Sequence, residues 1–227
     1  MLSVIMPVYN EKDTVLKVID NVLKIDLVEQ IIIVDDNSTD GTKELLKNKV
    51  HDDRIIVKFH EKNKGKGACI KTGLKDVKGK IVTVQDSDLE YDPAELPELC
   101  RPIINGVADV VYGSRLWGVK PQRVHMFWHL LGNRFLSLLC DILYNCTLTD
   151  IETCYKVFKT DILKSINIKS NGFSFEPEVT AKMLKKKLKV YEMPISYYGR
   201  TYEEGKKITW KHGFEALWCL LKYRFID

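Results

Sequence analysis

The stretch KIVTVQDSDLEYDP, Lys80 to Pro93, sets an apolar run against a row of acids. Ile81, Val82 and Val84 read as a buried strand, and Asp86, Asp88, Glu90 and Asp92 follow at alternate positions. Side chains two apart on an extended segment point the same way, so a tight turn can aim two carboxylates at one cation. A hard divalent metal takes oxygen ligands, and magnesium usually keeps one or two carboxylates plus substrate phosphates. An Asp-x-Asp at the carboxyl end of a strand therefore suits a metal–diphosphate. Taken alone, the same acids also suit a solvated turn that caps a helix beginning near Pro93.

Outward from this stretch, strand and helix signals alternate. Ser3–Val8, Gln30–Val34, Ile55–Phe59 and Asp109–Gly113 read as further strands; helices are expected from Asn10 to about Lys24, up to about Lys49, and over Gly67–Val77. Buried β-rich runs separated by helices imply an α/β fold, a mostly parallel sheet with helices on both faces. Ligands bind such sheets beyond the carboxyl ends of the strands. Pro7–Glu11, Asp35–Asp36 and Asp86–Glu90 are the polar strand ends, and they should converge on one cleft. In the second half, Gln122–Cys146 reads as a long apolar helix, Phe173–Lys187 as a helix, Val190–Tyr198 as a strand and Trp210–Phe225 as a closing helix. No repeat or linker divides the chain, so one domain over 1–227 is expected, with its second half elaborating the site.

The chain of 227 residues is 45% hydrophobic and 29% charged, an ordinary globular balance. A net charge of +4 and the lack of any nucleic-acid-reading motif argue against a nucleic-acid partner. Six cysteines without a Cys-x-x-Cys pair read as reduced thiols in a cytosolic setting. MLSVIMPVYNE reads as a strand rather than a signal peptide, and no apolar run reaches the length of a membrane span. The expectation is an intracellular protein, soluble or peripheral.

SVIMPVYNE, IIIVDDNSTDGT, NKGKGACIKTG and VQDSDLEYDP follow successive strands in this order, and VVYGSR, LTDIETCYKVF, GFSFEPE and PISYYGRTYEEGKKITW continue the series. Together they resemble the inverting family 2 glycosyltransferases of the GT-A fold, most of all the polyprenyl-phosphate group that includes dolichyl-phosphate mannose synthase. The resemblance implies a nucleotide-sugar half over 1–115, taking a UDP- or GDP-sugar, and an acceptor half over 116–227. It places Pro7, Tyr9, Glu11 and Asp36 around the base and ribose, with Asp35 structural. It places Asp86, Ser87 and Asp88 at the donor diphosphate, and Asp86, Asp88 and Glu90 at a Mg²⁺ or Mn²⁺ ion. On the acceptor side it implies Arg115, Arg134, Ser137 and Arg200 for a polyprenyl phosphate, with Asp150 near the reacting centre as base or orienter. Arginine's planar fork suits phosphate. A phosphate with its second pKa near 6 is already largely ionised at neutral pH, so no strong base is demanded.

Other signals carry less. Gly65-Lys66-Gly67 lacks the Gly-Lys-Ser/Thr ending of a phosphate loop; it is either a flexible helix entry or a helix N-terminus near the diphosphate. His125 and His129 have zinc-helix spacing without the intervening Glu or a third ligand. Lys182, Lys185–Lys187 and Lys189 form a solvated helix end or a contact for an anionic membrane. From His129, a polar stripe of Asn133, Ser137, Asp141 and Asn145 runs along an otherwise apolar helix, and the closing helix mixes Trp210, Phe214 and Trp218 with Lys222 and Arg224. Each suits a core or a membrane interface. The reading that joins these features is a metal-dependent inverting transferase, peripheral at the cytosolic face of a membrane. Rivals are a family 2 enzyme with a glycan or protein acceptor, a sugar-1-phosphate nucleotidyltransferase, and a degenerate sugar-nucleotide binding module. PVYNE stands where the nucleotidyltransferase would carry a Gly-rich basic loop.

Overall fold

The structure, a computed structural model, describes residues 1–124, 126–207 and 209–226. Its centre is a seven-stranded sheet in the order β3-β2-β1-β4-β6-β5-β7. The first half of the chain lays down β1 (Leu2–Val8), α1 (Val15–Leu23), β2 (Val28–Asp35), α2 (Thr42–Lys49), β3 (Ile55–Phe59), α3 (Lys66–Leu74) and β4 (Ile81–Val84). α4 (Leu96–Ile104), β5 (Val110–Ser114) and α5 (Phe127–Tyr144) follow. The chain closes with β6 (Lys156–Lys159), α6 (Thr160–Lys164), α7 (Phe175–Lys185), β7 (Val190–Pro194) and α8 (Trp210–Phe225). β1 pairs in parallel with both β2 and β4, and β2 with β3. β6 is antiparallel to β4 and β5, and β5 is parallel to β7.

Burial follows the apolar pattern. β1 and β2 bury nearly every residue, as strands covered on both faces must. α1 turns Val15, Val18, Ile19 and Val22 inward at helical spacing. One hydrophobic core runs from Leu2 in β1 to Tyr223 in α8, across both halves of the sequence. Because β2 and β4 flank β1 on opposite sides, the strand order reverses direction there, and such a switch point opens a crevice at the carboxyl ends.

Two features of the second half depart from the sequence reading. β6 lies within LTDIETCYKVF, a segment with no strand signal of its own, because its first residue is Lys156, which is fully buried. α5 is also turned the other way from an ordinary core helix. Ser137 on its polar stripe is buried and Asp141 Oδ1 accepts from Leu148 N–H at 2.8 Å, while Phe127, Trp128, Leu131, Phe135, Leu138 and Ile142 face outward. α8 packs beside α5, with Tyr144 O–H donating to the Leu220 carbonyl at 2.7 Å, and leaves Trp210, Phe214, Trp218 and Phe225 exposed. No helix among the described residues is long and apolar enough to cross a membrane.

Candidate active site

The loops after β1, β2 and β4 are laced together by their own polar groups. Asn10, in the left-handed region at φ 52°, donates its N–H to Ser38 Oγ at 2.9 Å, and its Oδ1 accepts from Thr39 N–H at 2.8 Å. Glu11 N–H donates to Thr42 Oγ1 at 3.1 Å. Thr14 Oγ1 donates to the Ser87 carbonyl at 2.7 Å, and Ser87 Oγ to the Pro7 carbonyl at 3.2 Å. The polar strand ends thus meet at a cavity of about 340 Å³, whose wall includes Pro7, Tyr9, Glu11, Asp36, Asp86, Ser87, Asp88 and Glu90.

Acids dominate the cavity floor, and the chain's own cations face them. The Arg200 guanidinium lies 3.0 Å from Glu11 Oε1 and 3.1 Å from Asp88 Oδ2. Lys207 Nζ lies 2.8 Å from Glu11, and Lys66 Nζ lies 2.8 Å from Asp86 and 2.9 Å from Glu176. Burial, followed by the charges of Asp86 and Glu90, pushes the Asp88 carboxyl up to about 7. Three carboxylates so close, one retaining its proton near neutrality, form a site with unmet demand for positive charge.

Glu90 sits differently from its neighbours. Its carboxylate accepts from Tyr197 O–H at 2.8 Å and from Arg200 N–H at 2.7 Å, so each oxygen holds one bond to the segment after β7. Leu89 before it is in the left-handed region at φ 64°, a cost of about 1 kcal/mol or more for a residue with a side chain. Asp88 Oδ1, accepting from Glu90 N–H at 3.1 Å, helps hold that turn.

Asp36 lines the cavity, but its oxygens accept from Lys64 N–H at 2.9 Å, Gly65 N–H at 2.7 Å and His60 Nδ1 at 2.6 Å. Asp36 thus holds the Lys64–Gly65 loop in the cavity wall, and Asp35 is fully buried. Asp36, His60 and Cys69 come within 4.8 Å of one another at atoms that can ligate a metal. Both ring nitrogens of His60 are engaged, by Asp36 and by Thr72 Oγ1 at 2.9 Å, and burial pushes the Cys69 thiol far up. The trio is thus tied into the wall by hydrogen bonds of Asp36 and His60.

On the acceptor side, Arg115 reaches the cavity and Asp150 supports it from behind. Arg115 Nε and Nη2 each lie 2.7 Å from the Asp150 carboxylate, which also accepts the Arg115 N–H at 3.0 Å. Burial raises the Asp150 carboxyl, but the Arg115 charge and hydrogen bonds outweigh it and hold the group below the usual carboxylate range. Asp150 thus holds the Arg115 guanidinium in place, the geometry an orienter requires. Ser137 and Arg134 do not reach the cavity: Ser137 Oγ is buried, accepting from Ile151 N–H at 3.2 Å, and Arg134 is exposed on α5. Of the spaced histidines, His125 lies outside the described residues, and His129 Nε2 pairs with Tyr202 O–H at 2.8 Å.

The residues missed by sequence are those that only the fold brings together. Lys66, from the Gly-Lys-Gly dismissed as a phosphate loop, joins Asp86 to Glu176 of α7. Its glycines are required by close packing, since a Cβ on Gly65 would meet the Asn171 carbonyl at 2.5 Å and one on Gly67 the Ser170 carbonyl at 2.7 Å. Glu152, Phe173 and His212 complete that end of the cavity.

Comparison with known proteins places the fold and the family. Over its full length the chain superposes on glucosyl-3-phosphoglycerate synthase from Mycobacterium tuberculosis, in complex with Mn²⁺, UDP-glucose and phosphoglyceric acid, with a TM-score of 0.78 at 21% identity, covering 80% of that chain. The complex of the same synthase with Mg²⁺ and UDP gives 0.76 at 21% identity and 80% of its length. The fold is that of the GT-A glycosyltransferases. In sequence, the chain is 28% identical over 239 residues to the UDP-N-acetylglucosamine–dolichyl-phosphate N-acetylglucosaminyltransferase of Methanococcus voltae, covering 97% of this chain and 95% of the relative. It is 29% identical over 218 residues to the low-salt glycan biosynthesis hexosyltransferase Agl6 of Haloferax volcanii, covering 93% of this chain but only 52% of that protein's length. Residues 3–166 match the family model described as glycosyl transferase family 2. The chain belongs to glycosyl transferase family 2 and is, with it, a glycosyltransferase.

Proposed function

We propose that the protein transfers a sugar from a UDP- or GDP-sugar to a polyprenyl phosphate at the cytosolic surface of a membrane. The observation that carries this reading is the opposition of Asp86 and Asp88, at the end of β4, to a basic wall of Arg200, Lys206 and Lys207 in one cavity. Acids on one side suit a cation-bound diphosphate leaving group, and arginine and lysine on the other suit a phosphate nucleophile. The Methanococcus relative is named for a dolichyl-phosphate acceptor, which favours the lipid phosphate.

Pro7, Tyr9 and Glu11 would line the nucleoside, with Asp36 fixing the Lys64–Gly65 loop beside it. Asp86 and Asp88 would hold Mg²⁺ or Mn²⁺; burial and the neighbouring acids push the Asp88 carboxyl up to about 7, a push that a bound cation would oppose. Glu90 would support that pair by fixing the turn. A divalent ion there would neutralise charge developing on the leaving nucleoside diphosphate. Arg200 and Arg115 would orient the acceptor phosphate, whose own ionisation makes a strong base unnecessary. The exposed aromatic faces of α5 and α8 would rest at the membrane surface, where aromatic side chains favour the headgroup level.

The test is a screen of UDP- and GDP-sugars with a short-chain polyprenyl phosphate, reading the lipid product by mass spectrometry. A glycosylated lipid phosphate formed faster than any soluble product is expected. Transfer to a soluble glycan, protein or small phosphate, with none to the lipid, would overturn the acceptor reading.

A further inference from the structure

The apolar helix α5 ends in a turn with a cysteine on either side. Asn145, just past the helix, is in the left-handed region at φ 52°. Its N–H and that of Cys146 both return to the Asp141 carbonyl, the latter at 3.3 Å. This is a Schellman-type helix ending, in which the residue two past the helix folds back on the residues three and four before its end. Here the outer residue is Cys146 and the inner ones are Asp141 and Cys140. Cys146 Sγ donates to Asp141 Oδ1 at 3.2 Å, so the thiol is turned back onto the helix. An apolar contact commonly closes such a turn; in this chain two thiols stand in those places.

The two thiols differ in reach. Cys140 is fully buried, and the adjoining Cys146 thiol, followed by burial, pushes the Cys140 thiol far above its ordinary range. Cys146 is half-buried and lines a groove of about 1070 Å³ between the end of α5, the end of α7 and β7, room enough for a small peptide thiol. Of the six cysteines, all among the described residues, only Cys146 is not buried. Reagents from solvent therefore meet Cys146 first, with Cys140 behind it.

We propose that Cys140 and Cys146 form a redox-active pair that closes to an intramolecular disulfide by exchange with a low-molecular-weight disulfide. The Cys146 sulfur attacks one sulfur of the oxidant, forming a mixed disulfide and expelling one thiolate. The Cys140 sulfur then attacks Cys146 Sγ and expels the second. The protein gives up two electrons and two protons, and the oxidant leaves as two thiols. Once capped, Cys146 can carry no charge beside Cys140, so the main obstacle to ionising Cys140 falls when its sulfur is needed. The second step is intramolecular between groups that the turn already holds together. The cross-link fastens the exit of α5, where Asp141 and Ser137 hold the N–H groups of Leu148 and Ile151 on either side of Asp150. This property goes beyond sugar transfer and depends on neither donor nor acceptor.

The experiment exposes the native full chain to oxidised glutathione, quenches with acid, and counts free thiols by alkylation in denaturant and mass spectrometry. Alkylatable thiols should fall by two from six, with no glutathione retained and one linkage, Cys140 to Cys146, in the digest; reductant should restore all six. Cys140→Ala should instead trap glutathione on Cys146. Cys146→Ala should slow the loss of thiols at least about tenfold, since every remaining sulfur is buried. The proposal is overturned if the wild type keeps six thiols, if glutathione stays on Cys146 without closure, or if the linkage joins any other pair. The wild-type count needs no variant, so a misfolded substitution leaves the proposal exposed to refutation.

Discussion

Arg200 Nη2 lies 3.1 Å from Asp88 Oδ2, so a basic residue from the loop after β7 is paired with an acid from the loop after β4. The same guanidinium reaches Glu11, so Arg200 bridges Asp88, one of the acids that would hold a cation, to the nucleoside side of the cavity. Arg200 and a divalent ion would therefore compete for Asp88, and an Arg200 released from it is free to meet an acceptor phosphate.

Substituting Arg200 separates these roles. In Arg200→Ala, Mn²⁺ affinity of the nucleotide-free protein should rise several-fold, because a competing positive charge is gone, while transfer falls by about 10²–10³ through loss of a preorganised charge. Arg200→Lys should restore transfer only in part, since a point charge cannot reproduce the bidentate fork. Manganese titration followed by electron paramagnetic resonance, paired with transfer rates at varied acceptor, checks both. An unchanged or weaker Mn²⁺ affinity would show that Arg200 does not compete for the acids.

Asp88 links the site to pH. Its carboxyl sits at about 7 in the folded protein against 3.8 ordinarily. The folded state thus keeps a proton that the unfolded chain releases, and this group's contribution to stability is fully present below about pH 4 and is lost as pH rises to about 7. Asp88→Asn should flatten that part of the pH–stability curve in urea unfolding of the metal-free protein. It should also cut turnover by about 10²–10³, and chelator should mimic it. Mn²⁺ affinity of the wild type should fall between pH 8 and pH 6, since protons and metal compete for the same oxygens. A pH-independent affinity across that interval would remove Asp88 from the ligand set.

The half of the site near β1, β2 and β4 was legible because each strand is a mostly apolar run followed by polar residues, and the sheet register carries those ends to one edge. The other half rests on pairings over long sequence separations. Nothing in Gly-Lys-Gly points to Glu176, although Lys66 and Glu176 lie 2.9 Å apart. β6 was hidden by a buried lysine, which sequence patterning counts against a strand. The polar stripe of α5 was visible, yet its direction was not: Ser137 turns inward because its hydroxyl accepts the Ile151 N–H, and the apolar side is left outside.

Arg115 and Asp150 offer a test of support as against proton transfer. Asp150→Asn leaves a buried guanidinium without its countercharge, a loss expected to cost about 3–5 kcal/mol of stability. Activity should fall while the shape of the pH–rate profile is retained, because Asp150 carries no proton in the reaction. Replacing both residues with apolar ones should be less destabilising than Asp150→Asn alone. Disappearance of one limb of the pH–rate profile in Asp150→Asn would identify Asp150 as the base.

The outward faces of α5 and α8 give the last prediction. Trp128 is 77% exposed, Ile142 71% and Phe225 81%, although large apolar side chains on neighbouring helices ordinarily seek cover. Because these side chains contribute little to the core, Leu131→Glu and Trp218→Glu should change the melting temperature by no more than a few degrees, the usual range for surface substitutions. Each should sharply weaken co-sedimentation with vesicles of mixed neutral and anionic lipid, since an added carboxylate must be desolvated and also meets like charge. Salt should lower wild-type binding only in part, removing the share contributed by Lys222 and Arg224 and leaving the apolar share. Transfer to a soluble short-chain acceptor should persist in both variants, because neither residue lines the cavity. If the wild type does not bind vesicles and instead sediments as a dimer that Trp218→Glu dissociates, the two helices pair with a second copy of the chain rather than with lipid.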